Sequence, residues 1–260
     1  MANPLYGQNK LDDKVDNHIS GKKQVYRFGT PPVIDDYEHT AHALADGTAA
    51  DTVLHTYADG LSMTWSAVVA QAINRPAPTT TGINYAGDQT NNDGIELVYS
   101  CTTTKGREGV DRFTVGRQAF SAEMEFSIAT VAGTDVGNFG FRKVEALNAD
   151  VHAYDEMAGL FPISGDIKIQ TILNNAATVT TDTTANWADG EVHSLGVFVD
   201  KAGAVTYKID GSAPSTTAAF SFDLGEVVTP SFFLLQASDL CDTMIHRKLT
   251  ITSDNGSMEE

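Results

Sequence analysis

The chain has 260 residues, 42% of them hydrophobic and 20% charged, a balance that belongs to globular domains and excludes disorder of the whole chain. Its formal net charge is −17, yet residues 1–30 hold five bases (Lys10, Lys14, Lys22, Lys23, Arg27) against three acids (Asp12, Asp13, Asp16). The remainder is therefore more acidic than the whole, which excludes nucleic acid and anionic membrane surfaces as its partners. Cys101 and Cys241 are too few for a disulfide framework, although one bridge between them stays open. No apolar run approaches the ~20 residues of a membrane-spanning helix, and polar Asn3, Gln8, Asn9 and Lys10 stand where a signal peptide would have its apolar core. Synthesis and folding in a cytoplasm are expected.

Residues 1–32 read as an arm, with mixed charges, Gly7, Gly21, Gly29 and the pair Pro31-Pro32, but no sustained apolar period. Leu5, Tyr6, Val25, Tyr26 and Phe28 supply apolar contacts for docking, and Lys10, Lys14, Lys22, Lys23 and Arg27 supply charge. Residues 33–260 form the expected domain. Thr40–Leu54 is alanine-rich and fits a helix, Leu61–Ala72 carries Trp65 and fits a strand, and RPAPTTTG after it is a loop. From Gly94, Ile95, Leu97 and Tyr99 face one way and Glu96, Val98 and Ser100 the other.

The cleanest alternation follows, with Phe120, Ala122, Met124, Phe126 and Ile128 on one face and Ser121, Glu123, Glu125 and Ser127 on the other, the pattern of a half-buried antiparallel strand. Phe139 and Phe141 continue the pattern, an irregular excursion covers Glu145–Gly165, and Ile167, Ile169 and Thr171 resume it. Trp187–Gly211 then spells a whole hairpin. Leu195, Val197 and Val199 alternate, Asp200-Lys201-Ala202-Gly203 turns the chain, and Val205, Tyr207 and Ile209 return it. Phe232–Gln236 and the closing Ile245, Leu249 and Ile251 complete a sandwich of about ten or more strands. Arg247, on the face of Ile245 and Leu249, is expected at the sheet rim, and His193 and His246 at outward positions.

Chemistry-bearing groups are sparse. Glu123 and Glu125, at i and i+2 of one strand, project about 6.5–7 Å apart, roughly the spacing of glycosidase carboxylates, but most such pairs are solvated surface acids. His39, His42 and His55 near Asp35, Asp36 and Glu38 lack any H-E-x-x-H frame. Asp88, Asp93, Asp135, Asp155, Asp239 and Asp242 are loop acids of the kind that ligate calcium, but turn aspartates equally bond their own backbone. No catalytic residue, metal site or cofactor is assigned.

The run WADGEVHSLGVFVDKAGAVTYKIDG resembles the signature of concanavalin A-like and laminin G-like jelly rolls, in which a tryptophan, a DG turn, a strand, an aspartate-glycine hairpin and a "YVDG" strand follow in order, with Val192 here replacing a second tryptophan. NNDGIELVYS, QAFSAEMEFSIAT, NFGFRKV and MIHRKLTIT extend the likeness over most of the chain. MANPLYGQNK resembles the start of marine podovirus structural proteins. The resemblance implies an all-β jelly roll of two antiparallel sheets with an extended amino-terminal arm, in a non-enzymatic virion protein decorating the outer surface of a capsid. Its implied partners are the major capsid protein or other virion subunits and further copies of itself, a trimer by analogy. The alternative it implies is a glycan-binding module of a fibre or head appendage that recognises a host-surface glycan, with Tyr85, Tyr154 and Trp187 as candidates, although packing at the sandwich end is the favoured reading of Trp187; a glycan hydrolase using Glu123 and Glu125 ranks third.

Overall fold

The computed structural model describes residues 24–27, 52–56, 62–67, 77–86, 94–98, 112–146, 148, 150–236 and 243–254. These form sixteen strands: β1 (Gln24–Arg27), β2 (Thr52–Thr56), β3 (Ser62–Ala67), β4 (Ala77–Pro78), β5 (Ile83–Ala86), β6 (Gly94–Val98), β7 (Phe113–Thr114), β8 (Ala119–Ile128), β9 (Thr134–Lys143), β10 (Met157–Ile163), β11 (Asp166–Ile172), β12 (Val179–Asn186), β13 (Val192–Val199), β14 (Val205–Ile209), β15 (Val227–Gln236) and β16 (Thr243–Asp254). Every strand pairing is antiparallel.

One sheet, here called the front, runs β14-β13-β8-β16-β5-β4, with β1 also on β16; the back sheet runs β12-β11-β10-β9-β15-β6-β3-β2, with β7 on β15. The chain crosses between sheets at β1–β2, β3–β4, β5–β6, β7–β8, β8–β9, β12–β13, β14–β15 and β15–β16. Each crossing from β7 onwards carries one apolar stripe to the opposite wall of the same core. Phe120, Ala122, Met124, Phe126 and Ile128 on β8 meet Phe139, Phe141, Leu160, Ile169 and Phe232 of the back sheet. Phe126 is the hub, with ring centroids 4.7 Å from Trp187, 5.4 Å from Phe232 and 6.1 Å from Phe161. A Cβ on Gly137 would lie 2.0 Å from the Phe161 ring, so the absent side chain is what admits that ring.

The hairpin turn is built as its residues dictate. Asp200 Oδ1 accepts hydrogen bonds from Ala202 N and Ala204 N, each 2.8 Å, and Gly203 takes a φ of +88°, a conformation that favours glycine.

Four expectations change. Gln24–Arg27, counted with the arm, pair with Lys248–Ile251 of β16 as β1, so Val25, Tyr26 and Arg27 belong to the front sheet and not to a free arm; the other arm residues, Leu5, Tyr6, Lys10, Lys14, Lys22, Lys23 and Phe28, lie outside the described residues. Of the alanine-rich stretch, Thr52–Leu54 lies in β2, and Thr40–Asp51 lies outside the described residues. The excursion Glu145–Gly165 is shorter than its composition suggested, because Met157–Ile163 is strand β10. Finally, β16 slips register between His246 and Lys248, leaving Arg247 without a partner on β8. This bulge inverts the phase, so Met244 and His246 face the core before it and Leu249 and Ile251 after it, whereas Ile245 turns outward. His246 is thus buried, its ring 4.5 Å from Phe232, and burial pushes its pKa down to about 3.

Candidate functional site

The two outer faces of the sandwich are finished differently. On the back sheet, the segment between β9 and β10 folds over the strands and buries a second apolar cluster of Val151, Tyr154, Met157, Ile172 and Phe233. Polar groups are sealed beneath it. Arg142 Nε donates to Glu96 Oε1 at 2.7 Å, both side chains being 1% exposed, while Arg142 Nη1 donates to Lys143 O. The Tyr154 hydroxyl donates to Glu96 Oε2 and accepts from Asn148 N at 3.1 Å, and the guanidinium lies 4.4 Å from the Tyr154 ring centroid. Burial pushes the Glu96 carboxyl up despite Arg142 and the tyrosine hydroxyl, and burial likewise pushes the Tyr154 phenol up. At the rim, Lys143 Nζ donates to Asp155 at 2.6 Å and Glu226 at 3.1 Å.

This arrangement corrects the expected glycan contact at Tyr154 and bears out the packing of Trp187 at the sandwich end. Tyr154 is 0% exposed and serves the roof; its polar neighbours come from β6 and β9, distant in sequence. Trp187 is 2% exposed, plugging the sandwich end with its ring 4.7 Å from Phe126 and its Nε1 donating to Glu191 O at 3.1 Å. Tyr85 pairs through its backbone with Met244; its side chain lies outside the described residues, as do Cys101, Cys241, His39 and His42. Among the described residues no group of three or more His, Cys, Asp or Glu is placed to hold a metal ion, and no helix is long and apolar enough to cross a membrane.

The front sheet carries no such roof among the described segments. Its outer face is a grid set by register. Glu123 on β8 lies between Gly196 on β13 and Thr250 on β16; Glu125 lies between Ser194 and Lys248. Phe198 and Lys208 continue the grid towards β14, with Lys208 Nζ 4.5 Å from the Phe198 ring centroid. Glu123, Glu125, Ser194, Phe198, Lys208 and Lys248 are all half-buried. No side-chain hydrogen bond or ion pair joins either carboxylate to another described residue. A Cβ on Gly196 would lie 2.9 Å from Phe198 Cε2 and 3.0 Å from Glu123 Cγ, so the glycine lets the ring and the glutamate stem close over the sheet. Paired carboxylates beside hydroxyls, an ammonium and one ring can accept hydrogen bonds from vicinal hydroxyls of a polyol.

Two antiparallel sheets, with the chain crossing repeatedly between them, decide the architecture. The fold is an all-β sandwich of two antiparallel sheets. No family model and no curated protein matches the chain. Among solved structures it is similar to the carbohydrate recognition domain of Emp47p (13% identity, 73% of this chain and 88% of that one, TM-score 0.48). It is also similar to the exoplasmic/lumenal domain of VIP36 in a Ca2+/Man3GlcNAc-bound form (9%, 76% and 85%, 0.49) and to lectin II from Ulex europaeus (12%, 80% and 100%, 0.48). Figures of this size concern the chain path and not a site.

His193, expected outward, in fact points to the sandwich end. Its ring lies 4.6 Å from Trp187, Nδ1 is 2.7 Å from Asp210 Oδ2 and Nε2 is 3.2 Å from Glu191 Oε2. Partial burial pushes its pKa down, but the bonds to Asp210 and Glu191 and their charges outweigh that and leave it raised above 6.5. A raised folded-state pKa contributes stability that is complete below the unfolded value and lost as pH rises through the folded one. The stability advantage of the wild type over His193→Gln, read from urea midpoints, is therefore expected to be greatest below pH 6.5 and to shrink as pH rises. A pH-independent gap would refute the clamp.

Proposed function

We propose that the protein is a non-catalytic glycan-binding jelly roll of a larger assembly, a phage virion, and that the outer face of the front sheet is its binding surface. The observation that carries the proposal is the half-buried, unpaired Glu123–Glu125 pair in the middle of an unroofed polar sheet face. Neither glutamate has a carboxylate oxygen among the buried atoms without a partner, so both are open to solvent, and a bound hydroxyl array supplies donors in place of water. The apolar edge of Phe198 offers contact to the C–H face of a sugar ring. No third carboxylate continues the pair along the strand, since Ser127 holds the next position on the same face, which favours binding over hydrolysis.

The double change Glu123→Gln with Glu125→Gln is expected to weaken binding by roughly 10-fold to 100-fold, as the loss of charge-assisted bonds worth about 1.5–3 kcal/mol implies, with the melting temperature unchanged. A glycan array followed by calorimetry reads the effect. Silence of the wild type across the array would sink the proposal. Polysaccharide cleavage abolished by Glu125→Gln would replace it with hydrolysis.

A second reading, decoration of a capsid exterior, is favoured by one observation: β1 pairs with β16 in the front sheet, and Lys10, Lys14, Lys22 and Lys23 precede it in the sequence. Truncation of residues 1–23 with undiminished attachment to capsids would remove it.

A further inference from the structure

The open edges of the two sheets are not equally protected. On the front sheet, β4 is two residues long and contains Pro78, and β14 is capped by the segment that follows it. Val205 N donates to Phe220 O, Phe222 N donates to Gly203 O, and bridges join Ala204 to Ser221 and Ile209 to Ser212. On the back sheet, the last part of β12 is also managed. Ser215 Oγ donates to Thr183 O and lies 2.6 Å from Thr184 Oγ1, and Thr184 takes a φ of +65°, which turns the strand. The first part of β12 has none of these devices. From Ala176 to Thr181 there is no charge and no proline, and Val179 is 59% exposed.

More apolar surface gathers beside it. Leu173 (39% exposed) closes β11 directly before the turn into β12, and Asn174 Nδ2 donates to Asp223 Oδ2 at 3.0 Å, which brings Leu224 (70% exposed) to the same pole. A bare, uncharged strand edge with exposed apolar neighbours is the surface on which another strand adds.

We propose that residues 178–182 pair antiparallel with the same residues of a second copy, so that the back sheet continues through a two-fold axis. An axis normal to the sheet keeps core-facing residues on the core side, which restricts the pairing to registers centred on a residue. Centred on Thr180, threonine opposes threonine, Val179 meets the partner's Thr181, and Asp182 meets the partner's Thr178. Cross-strand Thr–Thr pairs are favourable and no acid opposes an acid, which matters because each copy carries −17. Asp182 Oδ1 accepts from Thr184 N at 2.7 Å, and in this pairing its other oxygen is left to accept from the hydroxyl of the partner's Thr178. Because the remaining charge of the two bodies repels, screening strengthens this dimer, opposite to an interface made of ion pairs.

Sedimentation velocity of the full chain tests it at about 10 and about 200 µM, spanning weak protein–protein affinities, and at about 50 and about 500 mM salt, where screening lengths differ severalfold. The wild type is expected to form a dimer whose share rises with salt, and Thr180→Lys, the charge with which natural edges are guarded, to abolish it at an unchanged melting temperature. A wild type that stays monomeric at the higher concentration and salt overturns the proposal. So does a trimer, or a dimer that survives both Thr180→Lys and Val179→Lys.

Discussion

Replacing Arg142 with alanine is expected to cost about 3–5 kcal/mol of stability, the loss that follows when one partner of a buried ion pair is removed. The guanidinium and Glu96 are each 1% exposed, and Arg142 also bonds the carbonyl of Lys143 and packs against the Tyr154 ring. Its removal leaves the Glu96 carboxylate under the roof with the tyrosine hydroxyl alone. Since burial already pushes the Glu96 pKa up, loss of the cation pushes it further, and the deficit should narrow as pH falls and the carboxyl takes up a proton. The double change Arg142→Met with Glu96→Leu should recover much of the deficit, because two apolar groups need no partner. Urea midpoints at several pH values measure all three. A single-site loss below ~1 kcal/mol, typical of exposed pairs, would mean that water reaches the pair and that the roof is not closed.

Phe126→Ala is expected to cost about 3–5 kcal/mol, the range for truncating a buried aromatic. This ring stands where β8 of the front sheet meets Phe161 and Phe232 of the back sheet, Trp187 at the sandwich end and His246 beside the β16 bulge. Truncation leaves a cavity whose walls belong to both sheets, so neither can collapse alone. Phe126→Leu, which keeps most of the volume, should cost markedly less. Thermal melting separates the two variants, and equal losses would show that the site repacks freely. The change should also alter Trp187 emission, since the rings are 4.7 Å apart.

The parts of the fold that could be read from residues alone are those governed by neighbours along the chain. Period-two alternation located β8 and the β13–β14 hairpin, because inward positions of a strand are two residues apart. The tetrapeptide at Asp200 named its own turn, because an aspartate that bonds nearby amides and a glycine at positive φ are local chemistry. Strand β12 escaped notice for the same reason: in VTTDTTAN the core-facing Thr181 and Thr183 have the same polarity as the outward Thr180 and Thr184, so no stripe marks the strand. The phase reversal in β16 was equally silent, since one bulged residue at Arg247 exchanges the faces of Ile245 and His246 without any signal in composition.

The candidate site divides along the same line. Glu123 and Glu125 were visible as a same-face pair, and the structure sets them beside Ser194, Gly196, Lys248 and Thr250, contributed by strands far away in sequence. Trp187 packs at the sandwich end as expected, whereas Tyr154 looked like a surface aromatic and only the finished sandwich shows what covers it. A ring is buried by whatever crosses over it, and for Tyr154 that includes the carboxylate of Glu96, 58 residues earlier. The amino-acid order by itself determined that the body is an all-β sandwich, its core-lining strand β8 and its β13–β14 hairpin, because alternation and turn chemistry act over a few residues. Which outer face is roofed, which carboxylates stand unpaired and which strand edge is bare were decided by tertiary structure, because burial depends on contacts between segments that no local pattern relates.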